Sequence, residues 1–361
     1  KFPCPILEVE LAYHRRWEIE SLHALSPHAL EREEDETEFA ESLDQFAHKI
    51  WRSPKSRKQY RYDLAILCNK DEKLPPSDKT AIKRFIKAGN KLGIDVEVID
   101  RKDYVRLAEY DALFIRETTS IDHHTFRFAK KAEAEGMVVI DDSTSILRCC
   151  NKIYLTDLFN VNKVPTPKTM ILAKNSKKAL EQAITDLGFP MVLKIPDGSF
   201  SQGVFKVKDA DEFEQRTTEL FKKSSLLLAQ EYMYTDFDWR IGVLNNRPLY
   251  ACRYYMAKNH WQIYNHGSPS TRFTTGGYDT MPTYEVPKAV LDAALKATKL
   301  IGTSLYGVDL KQVGDRAMVI EVNDNPSIES DVEDKYLDMQ LYEQIMQEFV
   351  NRIEAKRGNR S

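Results

Sequence analysis

YGVDLKQVGDRAMVIEVN, residues 306–323, decides how the chain reads. Apolar and polar residues alternate on either side of Gly314-Asp315-Arg316, the pattern of a β-hairpin. Side chains two apart on a strand share a face. Glu321 and Asn323 therefore project together, and Met318, Ile320 and Val322 are expected in the core. Between Asp309 and Glu321 the separation is even, so a three-residue turn at Gly314-Asp315-Arg316 brings the two opposite one another. Three oxygen donors then converge on one face. Carboxylates that close repel, so a hard cation belongs between them. Magnesium suits the set because it takes few carboxylates, keeps several waters and bridges to phosphates. A solvated sheet face would account for a bare Asp/Glu pair; the added Asn and the apolar alternation favour the ion.

An upstream segment supplies a reason for phosphate. In PMVLKI (190–195), Lys194 lies inside an apolar strand, where an unpaired ammonium is costly. Such a lysine wants an anion. In PDGSFSQGV (196–204), Gly198, Ser199, Ser201 and Gly203 are small enough for backbone N–H groups to approach phosphates. Alone, a Gly/Ser loop is more often a turn; the lysine before it adds weight. The stretch matches neither the P-loop pattern nor G-x-G-x-x-G. LAQEYMYTDFDWR (228–240) ends an apolar strand at Gln230, Glu231, Tyr232 and Met233, whose backbone could meet a purine. Asp236 and Asp238 could then hold ribose hydroxyls. An edge strand running into a polar loop explains the same residues at least as well.

Length and composition bound the class. At 361 residues the chain should form two or three domains, and 42% hydrophobic with 30% charged residues is ordinary for a globular protein. A net charge of -3, with no basic patch interleaved with aromatics, argues against nucleic-acid and anionic-membrane partners. No apolar run approaches the ~20 residues of a membrane span, and KFPCPILEVELAYHRRW (1–17) has no signal-peptide pattern. A cytoplasmic setting is expected. Cys4, Cys68, Cys149, Cys150 and Cys252 show no ligand spacing, and the Cys149-Cys150 pair reads as two small hydrophobes rather than a redox couple.

Along the chain, LEVELAYHRRWEI (7–19) reads as a strand running into a helix, and residues 28–58 as a charged helix plus solvated loop. From residue 62, strands at 62–68, 94–99, 111–116 and 136–141 alternate with helices, which implies a Rossmann-like parallel sheet over 60–145. Arg116 stands at the carboxyl end of one strand, where such sheets contact ligands. The expected domains are 1–145, 146–225 and 226–361. The second holds helices at 152–160 and 176–187 around strands 169–172 and 190–195. In the third, strands over 226–233 and 240–256 and a helix at 287–301 precede the hairpin, and a terminal helix at 338–354 follows it.

Taken in order, Lys152 on an opening helix, Lys194 before a Gly/Ser loop, QEY (230–232), D-x-D-x-R (236–240), GVD (307–309) and EVNDNP (321–326) resemble the ATP-grasp superfamily. Within it the chain is similar to the RimK-like branch, which includes glutathione synthetase and ribosomal-protein glutamate ligases. The likeness runs from about residue 151 to 326; residues 1–145 are similar, less specifically, to the N-terminal domain of some RimK-like ligases. It implies a mixed α/β and α+β chain: an ATP-grasp fold, two α+β subdomains sandwiching ATP, after a Rossmann-like parallel-sheet domain. It also implies ATP and Mg2+ as cofactors, two ions being expected and Mn2+ an acceptable substitute.

The same resemblance implies roles. Lys152 and Lys194 hold ATP phosphates, and the loop from Gly198 through Ser199 and Ser201 to Gly203 closes over them. Gln230, Glu231, Tyr232 and Met233 form the adenine hinge, with Asp236 or Asp238 near the adenosine. Asp309, Glu321 and Asn323 bind magnesium, and Asn325 stands near the reacting end. Arg240 faces the phosphates or acyl group, and Arg116 meets substrate. The reaction implied is ligation of a carboxylate to an amine through an acyl phosphate, glutamate or another amino acid going onto a peptide, protein or small-molecule acceptor. A dipeptide or glutathione-type synthetase is the alternative of the same class, a catalytically silent ATP-binding scaffold that of another; a homo-oligomer is allowed. The pattern departs in one place: a basic residue expected two positions before Asn265 is Ile263. Arg253, Lys258 or Arg272 are the candidates to replace it, and the longer stretch 265–279 is where acceptor choice would sit.

Overall fold

The computed structural model describes residues 6–13, 17–25, 30, 32–48, 60–196, 203–257, 261, 263–265 and 274–358. The chain divides into two compact units, 1–59 and 60–361. In the first, β1 (Ile6–Tyr13) pairs antiparallel with β2 (Trp17–Leu25), and α1 (Glu33–His48) follows. The second arm is thus a strand and not the expected helix. Trp17-Glu18-Ile19-Glu20 alternates with period two, and the ladder puts Tyr13 opposite Trp17 and Leu11 opposite Ile19. Four consecutive acids, Glu33 to Glu36, open α1, where the helix dipole favours negative charge.

The second unit opens with β3 (Tyr62–Leu67), α2 (Lys79–Lys91), β4 (Ile94–Ile99), β5 (Ala112–Ile115), α3 (His124–Ala134), β6 (Val138–Ile140) and α4 (Ser143–Cys149). The strands form a parallel sheet in the order β4-β3-β5-β6, as the alternation of apolar runs and helices implies. Asp78 starts α2 by accepting hydrogen bonds from the Thr80 and Ala81 N–H groups.

Next come α5 (Lys152–Val161), β7 (Thr169–Ala173), α6 (Lys177–Leu187), β8 (Met191–Lys194), β9 (Val204–Val207), α7 (Ala210–Leu220) and β10 (Leu226–Glu231). Their strands make an antiparallel sheet in the order β7-β10-β8-β9. Leu172, Met191, Leu193, Val207, Leu227 and Ala229 cover one face and pack under α6 and α7 with Ala183, Phe213 and Leu220. The other face carries Thr169, Lys194, Leu228 and Gln230, as cross-strand pairing requires.

The remaining elements are β11 (Phe237–Leu244), β12 (Arg247–Tyr255), β13 (Tyr264–Asn265), β14 (Thr274–Thr275), β15 (Tyr278–Met281), α8 (Lys288–Ile301), β16 (Leu305–Val313), β17 (Arg316–Asp324) and α9 (Met339–Gly358). Five strands form an antiparallel sheet ordered β15-β12-β11-β16-β17, while β13 and β14 pair separately. One face of the large sheet packs Trp239, Ile241, Val308, Leu310, Val319 and Val322 against Val290, Ala294 and Ala297 of α8. Its core and its polar face are therefore on opposite sides. The terminal helix α9 shares a core with the parallel sheet through Tyr342, Met346 and Phe349, which meet Phe85 and Phe114. Among the described residues no helix is long and apolar enough to cross a membrane.

The hairpin β16-β17 brings Asp309 opposite Glu321, but by a different route from the one expected. Its turn is the two residues Gly314-Asp315, closed by Val313 opposite Arg316, with Gly314 at φ 57. The ladder then slips by one residue between Asp309/Leu310, leaving Ile320 extra on β17 as a bulge. Ala317, Val319 and Val322 are consequently the buried residues, while Met318 and Ile320 are only half-buried. The alternation assumed from sequence breaks at the bulge.

Candidate nucleotide and metal site

Cross-strand partners share a face, so Asp238 and Arg240 of β11, Asp309 and Lys311 of β16, and Glu321 and Asn323 of β17 all project from the sheet side opposite α8. Lys152 comes to them from the first turn of α5, whose N-cap is Asn151. Lys194 and Gln230 come from the polar face of the four-stranded sheet. Lys152, Leu155, Phe159, Thr169, Lys194, Leu228, Gln230, Ile320 and Glu321 line one cleft with roughly 490 Å³ of empty volume.

Its charges interlock. Lys152 Nζ lies 2.7 Å from Glu321 Oε1. Arg240 grips Asp309 through Nε and Nη2, the latter at 3.0 Å, and Asn323 Nδ2 donates to Asp309 Oδ2 at 3.0 Å. Lys311 Nζ donates to Asp238 Oδ1 at 2.5 Å and to Thr235 Oγ1 at 2.8 Å. Burial opposes the charge on Glu321, but Lys152 and Lys194 hold its carboxyl below the usual range. For Asp309 burial outweighs Arg240 and the carboxyl is raised. Lys194 has no ion pair or hydrogen bond to its ammonium among the described residues. Burial is the main cause that draws it down to about 8, with Lys152 and Lys311 adding to the effect and Glu321 opposing it.

Asp309, Glu321 and Asn323 fit a magnesium ion: the two carboxylates are cross-strand partners and the amide side chain reaches one of them. Each carboxylate now neutralises a cation that a triphosphate could take over. Lys152, Lys194, Arg240 and Lys311 together exceed the local acids, as a polyanion requires.

Lys311 was missed in the sequence, although its position two after Asp309 puts it on the same strand face. Asp141 and Asp324 are buried carboxylates beside Asn325. Asp141 accepts from Ser304 Oγ and from the Leu305 and Asn325 N–H groups, and burial with Asp141 nearby pushes Asp324 up to about 8.

Other expected residues sit elsewhere. Arg253 pairs with Trp239 across the ladder, and its guanidinium stacks on Phe237 and Trp239, 5.1 and 4.8 Å from their ring centres. That is the core face, away from Arg240, so Arg253 cannot supply the charge absent at Ile263. Asp236 is exposed and accepts from Tyr234 Oη, whereas Asp238 is half-buried on the polar face of the sheet and accepts from Thr235 and Lys311. Glu231 is exposed and its carboxylate accepts from the Lys168 N–H. Tyr232 is half-buried under Lys206 Nζ at 3.8 Å, with Met233 half-buried beside it. Gly203 closes its loop by accepting from the Ile195 N–H. Gly198, Ser199, Ser201, Lys258 and Arg272 lie outside the described residues.

Arg116 and Asn325 turn out to hold one another. Arg116, 1% exposed, donates to Ser77 Oγ, Asn325 Oδ1 and the Pro76 and Pro326 carbonyls. Asn325 Nδ2 donates to the Glu117 carbonyl. Both side chains fasten the end of β17 to the parallel sheet. Arg116→Ala would strand those acceptors in a buried site. A loss of about 3 kcal/mol in urea-unfolding stability is expected, which Arg116→Lys does not restore because an ammonium cannot span the same acceptors.

A family model described as RimK-like ATP-grasp domain matches residues 149–349. The α-aminoadipate–LysW ligase LysX of Saccharolobus solfataricus is 29% identical over 69% of this chain and 90% of its own length. A probable α-L-glutamate ligase of Vibrio atlanticus is 24% identical over 66% of this chain and 78% of its own. Among solved structures, D-alanine–D-alanine ligase of Bacillus anthracis superposes with a TM-score of 0.63 at 17% identity, covering 84% of this chain and all of that one. A RimK domain ATP-grasp protein of Sphaerobacter thermophilus gives 0.58 at 15% identity over 79% of this chain and 98% of its own.

Proposed function

We infer the reaction from one premise: the chain belongs to the RimK-like ATP-grasp domain family. It is an ATP-grasp ligase that uses ATP and magnesium to form an amide. The finer reading is that it adds an acidic amino acid, glutamate or a close homologue, to a peptide or protein acceptor. Two relatives carry names that specify α-aminoadipate or glutamate, which supports an acidic substrate. In the reading a carboxylate oxygen attacks the γ-phosphorus of ATP and ADP leaves. An amine nitrogen then attacks the acyl carbon, phosphate departs and the amine proton passes to solvent.

The observation that carries this reading is the approach of Lys152 and Lys194 to the sheet face that bears Arg240, Lys311, Asp309, Glu321 and Asn323. No nucleophilic side chain is required; alignment and fixed charge do the work. Magnesium, held by Asp309, Glu321 and Asn323, would offset phosphate charge. Two ions, and replacement by Mn2+, belong to the same reading. Lys152 and Lys194 would bind the phosphates, with Gly198, Ser199, Ser201 and Gly203 over them. Gln230, Glu231, Tyr232 and Met233 would border the adenine and Asp238 the adenosine. Arg240 would meet the transferred group, and Lys311 would supply the charge absent at Ile263. The domains would run 1–145, 146–225 and 226–361.

The test is ADP release across a panel of free amino acids and peptides, with products weighed by mass spectrometry. A mass increase on peptide acceptors with glutamate or α-aminoadipate is expected. Dipeptides made only from free amino acids would replace the reading with a small-molecule synthetase. ATP binding without turnover on any pair would replace it with a silent binder.

A further inference from the structure

Glu117, His123 and His124 bring a carboxylate oxygen and two imidazole nitrogens within 4.8 Å of one another, among residues that take no part in the nucleotide cleft. Their meeting follows from the chain path. β5 ends at Ile115, Glu117 comes two residues later, and after a turn His123 and His124 start α3. The place is the carboxyl end of a parallel strand, where sheets of this kind present ligand-binding groups.

The cluster is built and not merely crowded. Glu117 is 1% exposed, and its Oε2 lies 2.6 Å from His124 Nε2. The His124 ring stands edge-on to buried Phe128 at 5.9 Å and overlaps His123 at 3.9 Å between centroids. His123 Nδ1 is 3.2 Å from Thr125 Oγ1. The Glu117 carbonyl accepts from Asn325 Nδ2, which fixes the backbone under the carboxylate. Partners behind the donors are what orients a metal-binding side chain. The hydrogen bond to His124 accounts for one imidazole; it gives no reason for a second imidazole nitrogen within 4.8 Å of the pair.

We propose that Glu117, His123 and His124 form a site for a zinc-class divalent ion with one coordination position left open. Donor chemistry separates this site from the first one. Oxygen donors alone, as in Asp309, Glu321 and Asn323, suit magnesium, whereas two imidazoles and a carboxylate suit zinc and its first-row neighbours. Metal–nitrogen bonds of ~2.0–2.1 Å place tetrahedral donors roughly 3.3 Å apart. The Glu117–His124 pair must therefore open slightly while the widest separation in the cluster closes. Glu72 and Asp100 lie near Glu117 and add negative charge, against Arg101; Arg101 and Arg127 lie near His124. The fourth position is open to water or to a carboxylate oxygen.

The experiment uses the full chain, stripped with a chelator and titrated with Zn2+ by competition against a chromogenic chelator, with saturating magnesium and ATP present. One zinc per chain is expected. His123→Ala and Glu117→Gln should each weaken it more than the ~10- to 100-fold that follows loss of an outer partner, while Glu321→Gln leaves it unchanged. Cobalt in place of zinc should give visible ligand-field bands that disappear in His123→Ala. His123 is half-buried, so this variant should fold, which circular dichroism checks. Absence of tight zinc binding, or binding equally strong in His123→Ala and Glu117→Gln, overturns the site. Neither result bears on ATP turnover, so the ligase reading stands or falls separately.

Discussion

Replacing Glu321 with glutamine should lower ATP-dependent turnover at least ~10²-fold, the scale of losing one preorganised electrostatic contact, with the circular dichroism spectrum unchanged. Glutamine keeps the volume and one acceptor oxygen, so cleft packing survives. What disappears is the charge. Glu321 balances Lys152 at 2.7 Å and stands across the ladder from Asp309. Without it the magnesium ligands carry one carboxylate instead of two, and magnesium gives up its waters only reluctantly to weak ligands. The magnesium concentration for half-maximal rate should therefore rise with the loss of turnover. Asp238→Asn should cost less, since Lys311 and Thr235 hold that carboxylate at the side of the cleft. Turnover close to normal in Glu321→Gln, at ordinary magnesium, would remove Glu321 from the reaction.

The sequence carried the fold where short apolar runs are bounded by turn residues. YDLAIL, IDVEVI, ALFI and MVLK are such runs, and each became a strand within a residue or two of its expected ends. It misled where a local irregularity decided the outcome. Two-residue turns and bulges are not written in hydrophobic period, so Ile320 looked like core and instead lines the cleft. Arg253 shows the same limit. It is one residue from Tyr254, on whose ring the Arg240 guanidinium rests at 5.6 Å, yet strand parity sends it to the opposite face. For Arg116 and Asn325 the obstacle is distance along the chain. Nothing in either local sequence says that 209 positions apart they will bond at 2.7 Å, because that contact depends on how the parallel sheet packs against the end of β17.

Lys194→Met should do two opposed things: abolish most turnover, again by ~10²-fold or more, and make the unliganded chain more stable. The first follows from removing a cation from the cleft in which Glu321 and Lys152 also stand. The second follows from what burial costs that cation while no phosphate compensates it. The ammonium is drawn from an ordinary 10.5 to about 8, a difference equivalent to about 3 kcal/mol. Below pH 8 the lysine is protonated in both folded and unfolded chains, and the folded state bears the whole cost. Between about 8 and 10.5 the unfolded chain binds more protons, so stability rises with pH; above that window the cost is gone. Methionine has similar length and no charge, and Glu321 keeps Lys152 as its partner, so no orphaned acid is created. At pH 7 the variant should gain up to about 3 kcal/mol in urea unfolding, and its stability should not show the parent's rise through pH 8 to 10.5. A lysine kept at such expense in the resting protein makes sense only if an anion arrives to meet it. If Lys194→Met is destabilised at pH 7, or turns over ATP normally, the ammonium is serving the fold and not the nucleotide.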